Sequence, residues 1–556
     1  MARELVYAPI RSKRSESACI CARGFRRPSG AEKTYAPGNS CESASRSLRD
    51  IVAELADELA TMPGKVCAAL SLVRLKRGPL AWVTLLLVVA VPTSAAPKYP
   101  LKASVNHRYL VDQNGTPVFL FGDSSAQTFF SNLSVADGTS VMADRASYGF
   151  NALWAHVIIG DNQLYGRSNL STYDGIVPFT GTLSGGQYDL NKPNSAYFSR
   201  IDSMVNAAAA QNMVVFLDVL ENYSEMSIFE ANGNSVVYAY GQYLGNRYKS
   251  FPNIVWMAGN DFQSWTNGTD NSLAQSVMQG ILSVDSNHLM TSELNYFISG
   301  SSDDTLLGPL CSIDAAYTYY PTYGEVLAQY NAGTTTPVIM EEGFYENNNY
   351  GTPPNSLNAL GFRKQAYWTA LWGGLGGFFH GNQSELPLTT PISGWQSSLN
   401  TTTATQMKYF ASFINSSNWW LLAPDQTHAL VTAGYGTATG VETGGGQGSG
   451  RIDTDNFVTT SFASDGSFSL SYLPVNTTLM VAMSKFAGSV TARWFDPTNN
   501  TYAAISGSPF ANSGTHTFVS PGNNSAGDPD WVLVLQTNGS TSSQPAPPTG
   551  LKTIVN

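Results

Sequence analysis

Cysteine, charge and metal-binding spacings are the scarce features of this chain. Of its five cysteines, Cys19, Cys21, Cys41 and Cys67 lie near the amino terminus and only Cys311 follows. Once the expected amino-terminal processing removes the first four, the remaining cysteine cannot form an intrachain disulfide, so a hydrophobic core must hold the protein, as it can at this length. Cys311 itself reads as a small buried hydrophobe on a strand. Charged residues make up only 13% of the 556 positions, and acidic residues outnumber basic ones 40 to 30. That balance excludes the basic face expected for nucleic acid or an anionic membrane. No Gly-x-Gly-x-x-Gly follows a strand pattern and no Walker loop occurs, so dinucleotide and P-loop chemistry have no support. His-x-x-x-His and paired-cysteine spacings are missing beyond Cys67, and no metal or other cofactor is expected. Gly-x-Ser-x-Gly is absent from strand exits, which removes the serine-hydrolase reading.

Gly, Ser, Thr, Asn and aromatic residues fill the space that charge leaves. Such a neutral polar surface suits a secreted protein that handles carbohydrate. The length predicts two or three domains. Residues 1–61 lack periodicity and read as a disordered or non-native leader. Residues 62–96 carry a basic flank, the apolar run Leu80–Val91 and a small-residue exit at Ala95-Ala96, the pattern of a secretory signal. The run is short for a membrane span, which needs about 20 residues. The mature protein is therefore expected to start near Ala96 or Pro97 and to be extracellular, without stable membrane association. Sequons at Asn132, Asn169, Asn222, Asn267, Asn382, Asn400, Asn415, Asn476 and Asn538 predict N-glycans.

From 97 to 420, strand-like and helix-like segments alternate. Apolar runs at Phe121, 150–158, 213–220, 253–258, 289–294, 311–317, 337–340 and 376–380 give eight strands, separated by helical stretches or long connections. This predicts a (β/α)8 barrel. From 421 to 537 helical patterns give way to alternating strands with turns at Asp465-Gly466 and Asp496-Pro497, an antiparallel β-sandwich. Gly444–Gly450 reads as a flexible loop, and 538–556 as a disordered Ser/Pro-rich tail.

In such barrels the chemistry sits where strands exit. The exits here read Asp123, His156, Asp218 with Glu221, Asn260-Asp261, Glu293, Tyr317, Glu341-Glu342 and His380. Glycoside hydrolysis requires one carboxyl to protonate the leaving oxygen and another to act as nucleophile or base. Asp261 at the fourth strand is the acid/base candidate; its structural alternative is a helix cap. Glu342 or Glu341 at the seventh strand is the nucleophile candidate. Side chains alternate along a regular strand, so only one would face inward. The strand is apolar on both faces and parity does not choose. Gly343 after Glu342, which permits close approach of a substrate, favours Glu342. Asp123, Trp154, His156, Asp218, Glu221, Asn260, Tyr317, Tyr345, Glu346 and His380 are candidate substrate contacts, polar groups for sugar hydroxyls and rings for stacking. Trp256, Trp265, Tyr319 and Tyr320 offer further rings, with core packing as the alternative for each.

Phe121-Gly-Asp-Ser, Asn253-Ile-Val-Trp-Met-Ala-Gly-Asn-Asp261 and Pro337-Val-Ile-Met-Glu-Glu-Gly-Phe-Tyr-Glu346 resemble the apiosidase-like glycoside hydrolase family. The likeness runs from Tyr99 to about Trp420. It implies a TIM-barrel hydrolase whose catalytic pair is an Asp at the fourth strand and a Glu at the seventh. The family's Gly-Glu-Pro-x-Tyr-Glu pattern aligns with Glu342 and Glu346. Glu341 stands where Gly is usual and Gly343 where Pro is common. Phe468-Ser-Leu-Ser-Tyr-Leu-Pro and Ala492-Arg-Trp-Phe-Asp-Pro resemble a β-domain that often follows this barrel and carries a collagen-binding label. Together these imply a secreted enzyme acting on plant or fungal cell-wall polysaccharide or oligosaccharide. A two-carboxylate mechanism with retention follows if the pair lies about 5–5.5 Å apart, and inversion at about 6.5–9.5 Å. The alternative is a non-catalytic carbohydrate- or matrix-binding protein.

Overall fold

The computed structural model describes residues 96–158, 170–222, 225–295, 299–333, 335–349, 354–440 and 449–537. The leader, the signal-like segment before Ala96, the carboxy-terminal tail and most of the Gly444–Gly450 loop lie outside the described residues.

Eight short apolar segments form parallel strands: β1 (Leu120–Asp123), β2 (Ala152–His156), β3 (Val214–Asp218), β4 (Ile254–Met257), β5 (Met290–Thr291), β6 (Asp314–Tyr317), β7 (Val338–Glu342) and β8 (Gly377–Asn382). They hydrogen-bond in the order β5-β4-β3-β2-β1-β8-β7-β6, a sheet curled into a barrel. No ladder joins β5 to β6. Instead Met290 O accepts from Ser312 N at 2.8 Å and from Ile313 N at 3.2 Å, closing the seam. A short antiparallel strand, Ser299–Gly300, lies beside β6.

Alternation along the strands sorts the side chains. Leu120, Trp154, Phe216, Met257, Ile339 and Phe379 belong to one buried cluster, the barrel interior. Phe121, Leu153, Leu217, Trp256, Met340 and Phe378 belong to another, against the surrounding helices. Helices Ser195–Ala210, Asn234–Tyr248, Gly268–Leu282, Thr322–Tyr330, Ala359–Ala370 and Thr402–Asn415 lie within about four residues of the helical stretches the sequence predicts at 195–211, 236–248, 272–284, 323–330, 357–372 and 403–413. Among the described helices of eight or more residues, two were not expected. Val135–Ser147 carries a start signal in Ser134-x-x-Asp137, and Ser134 Oγ accepts from Asp137 N at 3.0 Å. Glu225–Asn232 has no strong periodicity. Cys311 precedes β6 rather than lying on it; its thiol donates to Leu307 O at 3.4 Å.

The segment 422–537, called the β-domain below, forms a six-stranded antiparallel sheet and a three-stranded one. Its strand Thr501–Ala504, exposed throughout, escaped the sequence pattern because it has no buried face. The β-domain packs on helix Ala359–Ala370. Arg363, fully buried, donates from Nε to Asp530 Oδ2 at 2.8 Å and from Nη2 to Asp528 Oδ2 at 2.7 Å.

Candidate active site

β7 carries the decisive irregularity. Asp314, Ala315 and Ala316 of β6 pair with Val338, Ile339 and Met340, but Tyr317 pairs with Glu342. Glu341 is the extra residue of a bulge, a device that re-aims side chains. It continues the inward parity of Ile339, while Glu342 is re-aimed to the mouth, where the hydroxyls of Tyr319 and Tyr345 reach it. Bulged strand ends are common beside active sites, and no regular parity rule applies there.

Glu342 is gripped from two sides. Tyr319 OH donates to its Oε1 at 2.8 Å and Tyr345 OH to its Oε2 at 2.7 Å. Tyr345 sits on a two-residue strand, Tyr345–Glu346, that pairs with Gly381 and Asn382 of β8. A Cβ at position 381 would meet the Tyr345 ring at 2.1 Å, so only glycine admits that ring. Gln127 Nε2 donates to Tyr345 OH at 2.9 Å.

Asp261 lies beyond β4 in the left-handed region, with φ of 47°. This conformation is uncommon for a residue with a side chain and is often met at functional sites. Glu293 holds it there, its Oε1 accepting from Asp261 N at 3.0 Å and from Asn260 Nδ2 at 3.2 Å. Asp261 does not cap the next helix, whose N-cap is Asn267. Tyr317 OH donates to Asp261 Oδ1 at 3.0 Å and lies 2.9 Å from Tyr319 OH. Asp261, Tyr317, Tyr319 and Glu342 thus form one row of oxygen atoms at hydrogen-bonding distance across the mouth of the barrel.

Burial and the neighbouring Asp261 push Glu342 up to about 7, against Tyr345, Tyr317 and Tyr319, which pull it down. Burial also raises Asp261, with Tyr317 alone pulling it back. Below this pair lies a floor of acids. Glu341 is fully buried, neither carboxyl oxygen has a hydrogen-bond partner, and burial, Asp218 and Glu342 push it well above the ordinary carboxylate range. Glu293 is raised by burial and by Glu342, Glu341 and Asp261. Asp218 is raised chiefly by burial. His156, whose Nδ1 is 3.1 Å from Asp218 Oδ2, is pushed down to about 3 by burial. Burial thus favours the neutral form of each of these groups.

The other expected contacts divide by position. Glu221 bridges to Asn260 at the rim. Trp154 lies in the barrel core and is fully buried, which is the packing role. Trp256 faces outward, its Nε1 donating to Asp285 at 2.9 Å. Asp123 and His380 pair in register on β1 and β8 but follow the outward parity of Phe121 and Phe378. Asp123 is set against Glu385 and Arg145, and His380 against Phe150 and Phe362. His380 Nε2 is 3.5 Å from Glu346 Oε2, a link from this outer pair toward the rim. Trp265, Tyr319 and Tyr320 are half-buried, as open stacking faces require. Sequence reasoning gave Glu293 no role and offered Tyr319 only as a stacking ring. Glu293 was visible at a strand exit, but its bond to Asp261 crosses 32 residues. Among the described residues, no group of three or more His, Cys, Asp or Glu side chains is placed to hold a metal ion.

Residues 104–421 match the family model for the apiosidase-like catalytic domain. Residues 452–536 match the model described as "Putative collagen-binding domain of a collagenase". Among solved structures the chain is similar to one described as a glycoside hydrolase, at TM-score 0.64 and 20% identity over 80% of this chain and 98% of that one. It is also similar to a glycoside hydrolase family 5 structure from Bacteroides vulgatus ATCC 8482, at TM-score 0.63 and 20% identity over 79% and 93% of the two chains. At this identity the likeness is one of fold. No curated protein sequence matches the chain.

Proposed function

The chain belongs to the apiosidase-like family of glycoside hydrolases, and from that membership we propose that it is a secreted enzyme cleaving O-glycosidic bonds in plant or fungal cell-wall polysaccharide, with Asp261 and Glu342 as its catalytic pair. The observation that carries the assignment is the row Asp261–Tyr317–Tyr319–Glu342, which ties the fourth-strand and seventh-strand carboxyls into one cluster. Two nearby raised carboxyls titrate as a pair. Glu342 is favoured as the anion by hydroxyls on both its oxygens, whereas Asp261 receives one. In the proposed reaction the pair holds one proton, and Asp261 carries it at the moment of cleavage.

The proposed reaction retains configuration. A Glu342 carboxylate oxygen bonds to the anomeric carbon as the glycosidic C–O bond breaks, and Asp261 gives its proton to the departing oxygen. Asp261, now a carboxylate, takes a proton from water; that water attacks the same carbon and releases Glu342. Glu341 lies on the floor beneath and takes no part in bond making. Asn260, beside Asp261 and held by Glu293, is placed to bond a sugar hydroxyl, and Trp265 and Tyr320 offer stacking faces.

The signal-like segment supports secretion as part of this reading. Asn267, Asn400, Asn415 and Asn476 are exposed and open to glycans, whereas Asn132 and Asn382 are buried and hydrogen-bonded inside the fold. The test is a panel of cell-wall polysaccharides and oligosaccharides with wild type, Glu342→Gln and Asp261→Asn. Product release by wild type that both variants lose supports the assignment. Full activity in both variants, or binding without turnover by wild type, sinks it.

A further inference from the structure

We infer that the β-domain is a buttress for the catalytic tyrosines, with Tyr323 and Lys364 as positioning residues that transmit its grip to the site. The inference rests on the assignment of Asp261 and Glu342 as the catalytic pair. It assigns the β-domain a role in the reaction rather than in attachment to a polymer.

Of the two tyrosines in the row, Tyr317 ends β6 and Tyr319 lies on the connection from β6 to helix Thr322–Tyr330. On its inner side this connection is tied to the site by one backbone bond, Thr318 N to Glu342 O at 3.2 Å. Its outer end is held by the β-domain. Tyr323, the second residue of the helix, is buried; its hydroxyl accepts from Thr439 N and Gly440 N, both at 2.7 Å, and donates to Asp455 Oδ2 at 2.7 Å. The Tyr323 ring packs 4.7 Å from that of Phe457. The contact with Pro321 is so close that a Cβ on Gly440 would stand 2.7 Å from Pro321 Cβ. The backbone of the β-domain rests directly on the end of the tyrosine loop.

Helix Ala359–Ala370 links the same two parts a second time. Gln365 faces the site: its Oε1 accepts from Phe344 N at 2.9 Å, two residues past Glu342, and its backbone O accepts from Thr322 Oγ1 at 3.0 Å. Its neighbours on the helix grip the β-domain. Lys364 Nζ donates to the carbonyls of Ile452, Asp453 and Asp455 at 2.9–3.1 Å, and Trp368 Nε1 to Phe457 O at 2.9 Å. One helix, fixed on one side by the β-domain, therefore holds the loops that carry Tyr319 and Tyr345. A misplacement of about 1 Å in such a constellation costs roughly 10²-fold in rate.

Glu342 reports this grip. The groups that face it are the carboxyls of Asp261, Glu293 and Glu341 and the hydroxyls of Tyr317, Tyr319 and Tyr345. Loosening the β6 loop withdraws the Tyr319 hydroxyl from Glu342 and leaves the three carboxyls in place. The experiment uses the full chain with Tyr323→Phe, which removes one oxygen atom, and Lys364→Met. Turnover is measured together with the titration of the Glu342 carboxyl, followed by infrared difference against Glu342→Gln. Each variant is expected to lose roughly tenfold or more in kcat with little change in KM, and to show a higher Glu342 titration midpoint. The inference is overturned if Tyr323→Phe, folded by circular dichroism, keeps both wild-type kcat and the wild-type midpoint while only its thermal stability falls. If wild type turns over no substrate, the catalytic assignment fails, and the unshifted or shifted midpoint still decides the buttress.

Discussion

Tyr317 of β6 stands in register with Glu342 of β7, and the residue between Met340 and Glu342 has no partner on β6. That one-residue slip separates two adjacent glutamates into different roles. Glu341 joins the neutral floor of the barrel, and Glu342 meets the tyrosine hydroxyls at its mouth. The predictions below follow from that separation.

Glu342→Gln and Glu341→Gln will differ sharply. Asp261→Asn is expected to lower kcat by about 10²–10⁴-fold, the usual worth of a positioned general acid, and Glu342→Gln by at least as much. Glu341→Gln, which keeps shape and touches no reacting atom, will lose far less. Steady-state kinetics on one cleaved substrate compares all three, and equal losses at 341 and 342 would refute the separation. Proton NMR of the first-formed anomer checks retention.

The pH profile of wild type should fall on its alkaline side near pH 7. The pair must hold one proton to work, and burial together with Asp261 raises Glu342 to about 7. In Asp261→Asn the neighbouring charge is gone, so the Glu342 midpoint should drop below that value. With an aryl glycoside whose leaving group needs no proton, the variant's rate should rise with pH and level off before neutrality. A profile identical to wild type would show that the two carboxyls do not interact.

Stability should decline as pH rises from acid toward alkaline. Glu341, Glu293 and Asp218 have folded-state pKa values raised above their unfolded ones by burial. Above the unfolded pKa the native state holds these protons and the unfolded chain releases them, so stability present in acid is lost as pH climbs toward the folded values. Each such proton contributes a slope of about 1.4 kcal/mol per pH unit within its window. Calorimetry from pH 4.5 to 8.5 should show a falling Tm, with a shallower fall in Glu341→Gln. An unchanged slope in that variant would mean Glu341 is ionised in the native state.

Arg363→Met should destabilise the protein without altering its substrate. The guanidinium is fully buried against Asp528 and the equally buried Asp530. Removing one partner of a buried pair costs about 3–5 kcal/mol, because the remaining carboxylate stays desolvated. Denaturant unfolding measures the loss, and a change below about 1 kcal/mol, the worth of a surface ion pair, would show the junction to be solvated.

Much of this was written in the residues themselves. Alternating β and α patterns, apolar strand interiors and acids at the strand exits specify a barrel, because period-2 and period-3.6 burial are local properties. The strings around Asp261 and Glu342 also carried the family likeness. The sequence by itself thus determined the architecture and the acid-bearing ends of the fourth and seventh strands. Tertiary structure decided what each exit residue faces. Asp123 and His380 look like Asp261 in a linear reading, yet strand parity turns them toward the helices. Glu341 and Glu342 are chemically identical, and only the bulge distinguishes them. Tyr319 and Glu293 acquire roles through bonds spanning 23 and 32 residues. Register and long-range hydrogen bonds depend on how the whole chain closes, so no local pattern encodes them.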